Sequence, residues 1–189
     1  MGQDKAFLEI GGLPLWKRQL SILQELQPQE IFIAGPPREA WKDFNVLPDA
    51  RPNVGPLGGL TSALRHCATP LLLVLAVDLA EMTAEYLRRL LDDCTERVGV
   101  IPQANGRFEP LAAVYPVSAL SIAEDCLAAG NYSMQHLAGQ CAAQQLVRQK
   151  DILRDEHILF TNLNTPEDAQ RCRPRLPTRR RATTQLKPR

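Results

Sequence analysis

Lys5 stands three residues after Gly2 in the opening run Met1-Gly2-Gln3-Asp4-Lys5-Ala6. Glycine beside lysine is a pairing that handles phosphate: a bare backbone approaches the oxygens and an ammonium neutralises them. Asp78 follows the apolar run 71–77 directly, where a carboxylate can hold Mg²⁺ against substrate phosphates through one oxygen. Gly55-Pro56-Leu57-Gly58-Gly59 precedes a run of helical spacing and could offer backbone N–H groups to an anion or a base. Each has an ordinary reading too, since an Asp after a strand often turns the chain and most glycine loops are only turns. The rest of the chemistry-bearing inventory points away from other classes. His66, His136 and His157 are isolated, no side chain reads as a covalent nucleophile, and the five cysteines (67, 94, 126, 141, 172) form no C-x-x-C pair for zinc or a redox dithiol.

These residues need elements to position them. Residues 7–10 read as a short strand, Gly11-Gly12 as a turn, and Pro14 as the first position of a helix carrying Trp16, Leu20, Ile22, Leu23 and Leu26 inward. Residues 31–34 form a short apolar run ended by Gly35-Pro36-Pro37, and 45–49 a weaker strand. Leu60, Ala63, Leu64 and Cys67 recur at helical spacing, and 71–77 is the strongest buried strand, with Asp78 just past its carboxyl end. A helix over 83–96, a strand over 98–102 and a tight turn at Asn105-Gly106 follow. Residues 108–115 read as extended, 117–129 as a helix capped by Gly130, and Ser133 as the cap of another. Residues 145–147 and 158–160 read as late strands, and Thr165-Pro166-Glu167-Asp168 as a helix start. The alternation predicts an α/β fold: a three-layer, doubly wound, Rossmann-like arrangement with a mostly parallel sheet and helices on both faces. In such a sheet ligands bind beyond the carboxyl ends of the strands, which is where Asp78 lies.

Composition sets the outer limits. With 44% hydrophobic and 23% charged residues, the 189-residue chain suits one domain with a sizeable core. The near-neutral total conceals a split: residues 173–189 carry six Arg, one Lys and no acid, whereas residues 1–172 are net −6. The expected organisation is a domain over 1–172 and a basic, proline-containing, disordered tail over 173–189. That tail lacks aromatic stacking residues, so nucleic acid is not the expected partner. No secretory leader is expected, since the first ten residues carry Asp4 and Glu9, and run 71–77 is too short to span a bilayer. The expected setting is a reduced cytoplasm with no membrane contact.

Taken in order, several segments resemble the molybdenum cofactor guanylyltransferase family. They are Met1-Gly2-Gln3-Asp4-Lys5, the loop 55–59, Asp78 after Val74-Leu75-Ala76-Val77, Glu109-Pro110-Leu111-Ala112-Ala113-Val114-Tyr115, and Asn162-Leu163-Asn164-Thr165-Pro166-Glu167-Asp168. The resemblance spans nearly all of residues 1–172, and the conjunction of motifs carries it. It implies transfer of GMP from GTP to the terminal phosphate of molybdopterin, releasing pyrophosphate, with Mg²⁺ as the cation. Cofactor insertion or acceptor proteins are the implied protein partners. By the same resemblance Lys5 contacts the nucleotide phosphates, Asp78 binds Mg²⁺ and Asp49 contacts the nucleotide. Gly55, Pro56, Leu57, Gly58 and Gly59 border the nucleoside, and Glu109, Pro110 and Tyr115 lie toward the pterin.

This sequence departs from the family pattern in three places. Members usually begin with a hydrophobic strand and a Leu-Ala-Gly-Gly loop running into Arg-Met-Gly, whereas this chain starts at that methionine; the expectation is a domain incomplete at its amino end, with in-frame codons for a strand upstream. Ala80 stands where the family carries proline. Ala34-Gly35-Pro36 lacks the asparagine usual in the guanine-specific branch. The alternatives are therefore a cytidylyltransferase and a truncated, non-catalytic member of the same fold.

Overall fold

The computed structural model describes residues 4–163; the helix start expected at Thr165 and the basic tail lie outside the described residues. Lys5–Phe7 form a 3-10 turn capped by Asp4, whose carboxylate accepts from the Ala6 amide, so the expected strand is confined to its last two residues. Those two, β1 (Glu9–Ile10), pair antiparallel with β2 (Leu13–Pro14) across Gly11 and Gly12, both at positive φ (59° and 78°), a conformation that suits glycine. Helix α1 (Leu15–Gln24) starts directly after Pro14 and leads to β3 (Phe32–Ala34), which runs parallel to β4 (Asn45–Leu47). Next come α2 (Pro56–His66), β5 (Leu71–Leu75) and α3 (Ala84–Asp92), the last capped by the Thr83 hydroxyl. The chain continues through β6 (Gly99–Ala104), β7 (Arg107–Phe108), β8 (Ala112–Pro116), α4 (Leu120–Ala128), α5 (Met134–Ala143) and β9 (Val147–Asp151).

The α/β layering agrees with the sequence, and the sense of the sheet is corrected: it is mixed rather than mostly parallel. β8 lies antiparallel between β5 and β6, β7 returns antiparallel on β6 through Asn105-Gly106, and only β9 joins β6 in parallel. Parallel neighbours need a crossover of a dozen or more residues, which the short links between β6, β7 and β8 do not provide. The 108–115 segment is broken by a turn at Glu109–Leu111, closed by the Ala112 amide on the Glu109 carbonyl. Residues 158–160, expected as a strand, lie in a 3-10 turn (His157–Phe160). That turn buries Leu159 and sets Phe160 edge-on to Tyr86 at 5.3 Å, leaving Ile158 in solvent.

Alternation along β6 and β8 builds two cores. Ile101, Ala113 and Tyr115 face α2, α4 and α5, while Val100, Ala112 and Val114 face α3, with all six at most 1% exposed. β3 and β4 stand apart as a two-stranded sheet. Between β3 and β5 lies a largely apolar cavity of about 730 Å³, lined by residues of both strands and of α1. Among the described residues no helix is long and apolar enough to cross a membrane.

Candidate active site

Asp78 lies three residues beyond β5, and its backbone is fixed from two directions. Gln19 of α1 donates Nε2 to the carbonyls of Val77 (3.3 Å) and Leu79 (2.8 Å), and the Leu163 amide donates to the Asp78 carbonyl at 2.9 Å. Arg18 adds a bond from Nε to the Ala80 carbonyl at 2.7 Å. So held, the Asp78 carboxylate meets Lys5 Nζ at 3.4 Å, with side chains 22% and 42% exposed. A half-exposed pair of this kind contributes at most about 1 kcal/mol to stability. What it does is place a cation and an anion together at the carboxyl end of an apolar strand. One residue further back in the chain, Asp4 accepts from Arg38 at 3.0 Å, which ties the amino-terminal turn to the loop after β3.

Asp49 follows β4 closely and lies over the first turn of α2. A Cβ at Gly59 would come 3.0 Å from Ala34 Cβ and 3.3 Å from Asp49 Oδ1, and one at Gly58 would press on Val54, the Arg51 carbonyl and Asp49 Cβ. The two glycines thus let α2 approach β3 and the Asp49 loop closely. Gly55 caps α2 at positive φ with no side-chain bond to the helix amides, and the positive end of the helix dipole opens here. Asp49, Gly55, Pro56 and Gly59 line the cavity between β3 and β5, as do Asp4, Arg38 and Val77. Leu57 is fully buried and Gly58 is buried with it.

Glu109 and Pro110 belong to the turn whose Leu111 carbonyl accepts from the Ala76 amide at 2.7 Å, two residues from Asp78. Burial pushes the Glu109 carboxyl above its ordinary value, opposed by the Arg107 guanidinium. Tyr115 is fully buried on β8, and its hydroxyl donates to the Pro110 carbonyl at 2.9 Å. Any part Tyr115 plays therefore acts through the turn it supports. Burial drives the Tyr115 phenol well above its usual range.

The sequence reading passed over Arg18, Gln19 and Arg38, which position the Asp78 and Asp4 segments. Gln19 did leave a trace: a polar residue on the face of α1 that also carries Trp16, Leu20 and Leu23. Among the described residues no cluster of three or more His, Cys, Asp or Glu could hold a metal. A lone carboxylate suits Mg²⁺, which keeps several waters and is bound by one or two carboxylates together with substrate phosphates.

Comparison with known proteins converges on one family. The chain is 33% identical over 178 residues (92% of this chain, 88% of the relative) to a protein of Opitutus terrae named "Probable molybdenum cofactor guanylyltransferase". It is 30% identical, over 90% of this chain and 86% of the relative, to the molybdenum cofactor guanylyltransferase of Xanthomonas euvesicatoria. In fold it is similar to molybdopterin-guanine dinucleotide biosynthesis protein A from Archaeoglobus fulgidus, with a TM-score of 0.69 and 22% identity over 90% of this chain and 89% of that one. The profile of the MobA-like NTP transferase domain matches residues 1–148, and with these relatives it establishes that the chain belongs to the MobA-like NTP transferase family.

Proposed function

We propose that this protein transfers GMP from GTP to the terminal phosphate of molybdopterin, forming the guanine dinucleotide of the cofactor and releasing pyrophosphate. The observation that carries this reading is the Lys5–Asp78 pair at the carboxyl end of β5 in a chain one-third identical to a relative of that name. An oxygen of the terminal phosphate attacks the α-phosphorus as the bond to the β-phosphate bridging oxygen breaks, and pyrophosphate carries that oxygen away. The nucleophile is already anionic, so no general base is required, and positioning and charge neutralisation supply the catalysis. Lys5 bears on the triphosphate. Asp49 and the loop of Gly55, Pro56, Leu57, Gly58 and Gly59 form the nucleoside side, with Leu57 acting from beneath. Glu109 and Pro110 form the pterin side, and Tyr115 holds their turn.

Asp78 would hold Mg²⁺, which when bound neutralises phosphate charge and polarises the α-phosphate. The proposed setting is the cytoplasm. Its four described cysteines are all free thiols, in keeping with a reduced compartment.

The test incubates the purified protein with Mg²⁺, molybdopterin and either GTP or CTP and separates the dinucleotide products. GMP transfer with pyrophosphate release, lowered by about 10²-fold or more in Asp78→Asn, is the expected result. CMP transfer would move the assignment to the cytidylyl branch. No transfer with either nucleotide would indicate a non-catalytic member, and unchanged turnover in Asp78→Asn would remove that residue from the metal site.

A further inference from the structure

We infer that Gln135, in the first turn of α5, is a positioning residue for the turn at Glu109–Leu111, and through that turn sets where the pterin substrate meets Asp78. The inference rests on the nucleotidyl-transfer reading above and adds to it the side chain that holds the pterin side in register. Gln135 uses both ends of its amide on one residue: Oε1 accepts from the Phe108 amide at 3.0 Å, and Nε2 donates to the Phe108 carbonyl at 2.8 Å. A paired residue on a neighbouring strand makes the same two-point exchange.

The register of the hairpin explains why Phe108 needs such a partner. β6 and β7 are joined by Asn105-Gly106, with Ala104 opposite Arg107 and Gln103 opposite Phe108. The Glu109 amide donates to the Pro102 carbonyl at 2.8 Å, so the backbone groups of Arg107 and Glu109 face β6 and those of Phe108 face away from it. Among the described residues β7 pairs with β6 alone, and its outer edge is where Gln135 binds. Pro102 has no N–H to return to the Glu109 carbonyl, which accepts instead from the Ala112 amide and closes the turn. The ladder therefore holds Glu109 by one bond, and the residue before it is fixed from the other side by Gln135.

Local signals place Gln135 firmly. The Ser133 hydroxyl caps α5 by accepting from the His136 amide at 3.2 Å, and Asn131 Oδ1 accepts from the Ser133 amide at 3.2 Å. Leu137, Ala138 and Cys141, all fully buried, seat α5 in the core against which Phe108 also packs. A ten-residue helix thus steadies a two-residue strand. From there the contacts run on toward the site: Tyr115 supports the Pro110 carbonyl, and the Leu111 carbonyl accepts from Ala76, two residues from Asp78. Release of Phe108 lets Glu109 and Pro110 move relative to Asp78, and a shift of about 1 Å in a group that positions substrate costs up to about 10²-fold in rate.

The test uses the full 189-residue chain and two substitutions. Gln135→Met keeps the length and helix propensity and removes both bonds. Gln135→Glu keeps the acceptor, loses the donor and puts an acid at the positive end of α5, so it reads the clamp even where Gln135→Met folds poorly. The expected result in Gln135→Met is hydrogen exchange about tenfold or more faster at the Phe108, Glu109 and Ala112 amides. With it, kcat/KM for molybdopterin falls about tenfold while KM for the nucleotide stays within about twofold of the parent; Gln135→Glu shows the same split with a smaller loss. Unchanged exchange at Phe108 in Gln135→Met, an equal loss toward both substrates, or faster exchange with both substrates unaffected would each overturn the role. A parent protein that transfers neither GMP nor CMP overturns the nucleotidyl-transfer reading and this role with it, an outcome told apart because it precedes any substitution.

Discussion

Glu109 and Asp78 share one end of the sheet, yet the turn at Glu109 leaves its side chain half-buried. Its proton affinity in the folded chain is raised by that burial, so the native state holds the proton longer than the unfolded chain does. Stability therefore falls as pH rises from the ordinary carboxylate range through the raised value, and levels off above it. Glu109→Gln should abolish that slope: its melting temperature matches the parent at acid pH and exceeds it at pH 7, measured by a thermal melt at each pH. Tyr115→Phe tests the neighbouring contact. Loss of the hydroxyl bond to Pro110 inside a closed core should cost about 1–2 kcal/mol in urea unfolding. It should also loosen the 109–111 turn, read as faster exchange of the Ala112 amide. At this scale the sequence was informative where a residue type is rare in its setting, as with Asp78 after an apolar run. It was silent on Arg18 and Arg38, whose partners are 62 and 34 positions away and which no local pattern marks, and Gln19 showed only as a polar residue on an apolar helix face.

At the scale of elements, close backbone approaches decide the layout. A Cβ at Gly99 would sit 2.0 Å from the Val114 carbonyl oxygen, so β6 and β8 can cross here only with glycine. Gly99→Ala should destabilise the protein by about 2–3 kcal/mol, measured by urea unfolding, because main chain must shift rather than a flexible side chain. The helices were legible in the sequence because their apolar faces repeat at helical spacing and their caps, Thr83 and Ser133, are local. Most strands were legible as well, while strand direction was not. The antiparallel insertion of β8 between β5 and β6 depends on which edge is free, and that is a long-range property. Residues 158–160 misled for the same reason: an apolar triplet reads as strand, but here it packs as a 3-10 turn against Tyr86.

Across the whole molecule, the buried thiols provide an internal gauge of integrity. Burial pushes the half-buried Cys94 up to about 11 and the fully buried Cys141 up to about 12, so both remain protonated near neutral pH and Cys141 is shielded from solvent as well. Iodoacetamide at pH 8 should leave Cys141 unmodified in the native protein. Its labelling should rise with urea in step with loss of ellipticity, and ready labelling without urea would show that the α5 face opens locally.

The amino-acid sequence by itself determined the helices, most of the strands, and the presence of a phosphate-directed lysine and of a carboxylate beyond the strongest strand. Those rest on periodicity, capping and residue chemistry, which act over a few positions. Only the tertiary structure decided that Lys5 reaches Asp78 across 73 positions, that Asp49 lies over the glycine turn, and that β3 and β5 face each other across a largely apolar cavity. Each of these depends on which surfaces meet when distant segments bury their apolar faces together, a choice settled by the packing of the whole chain.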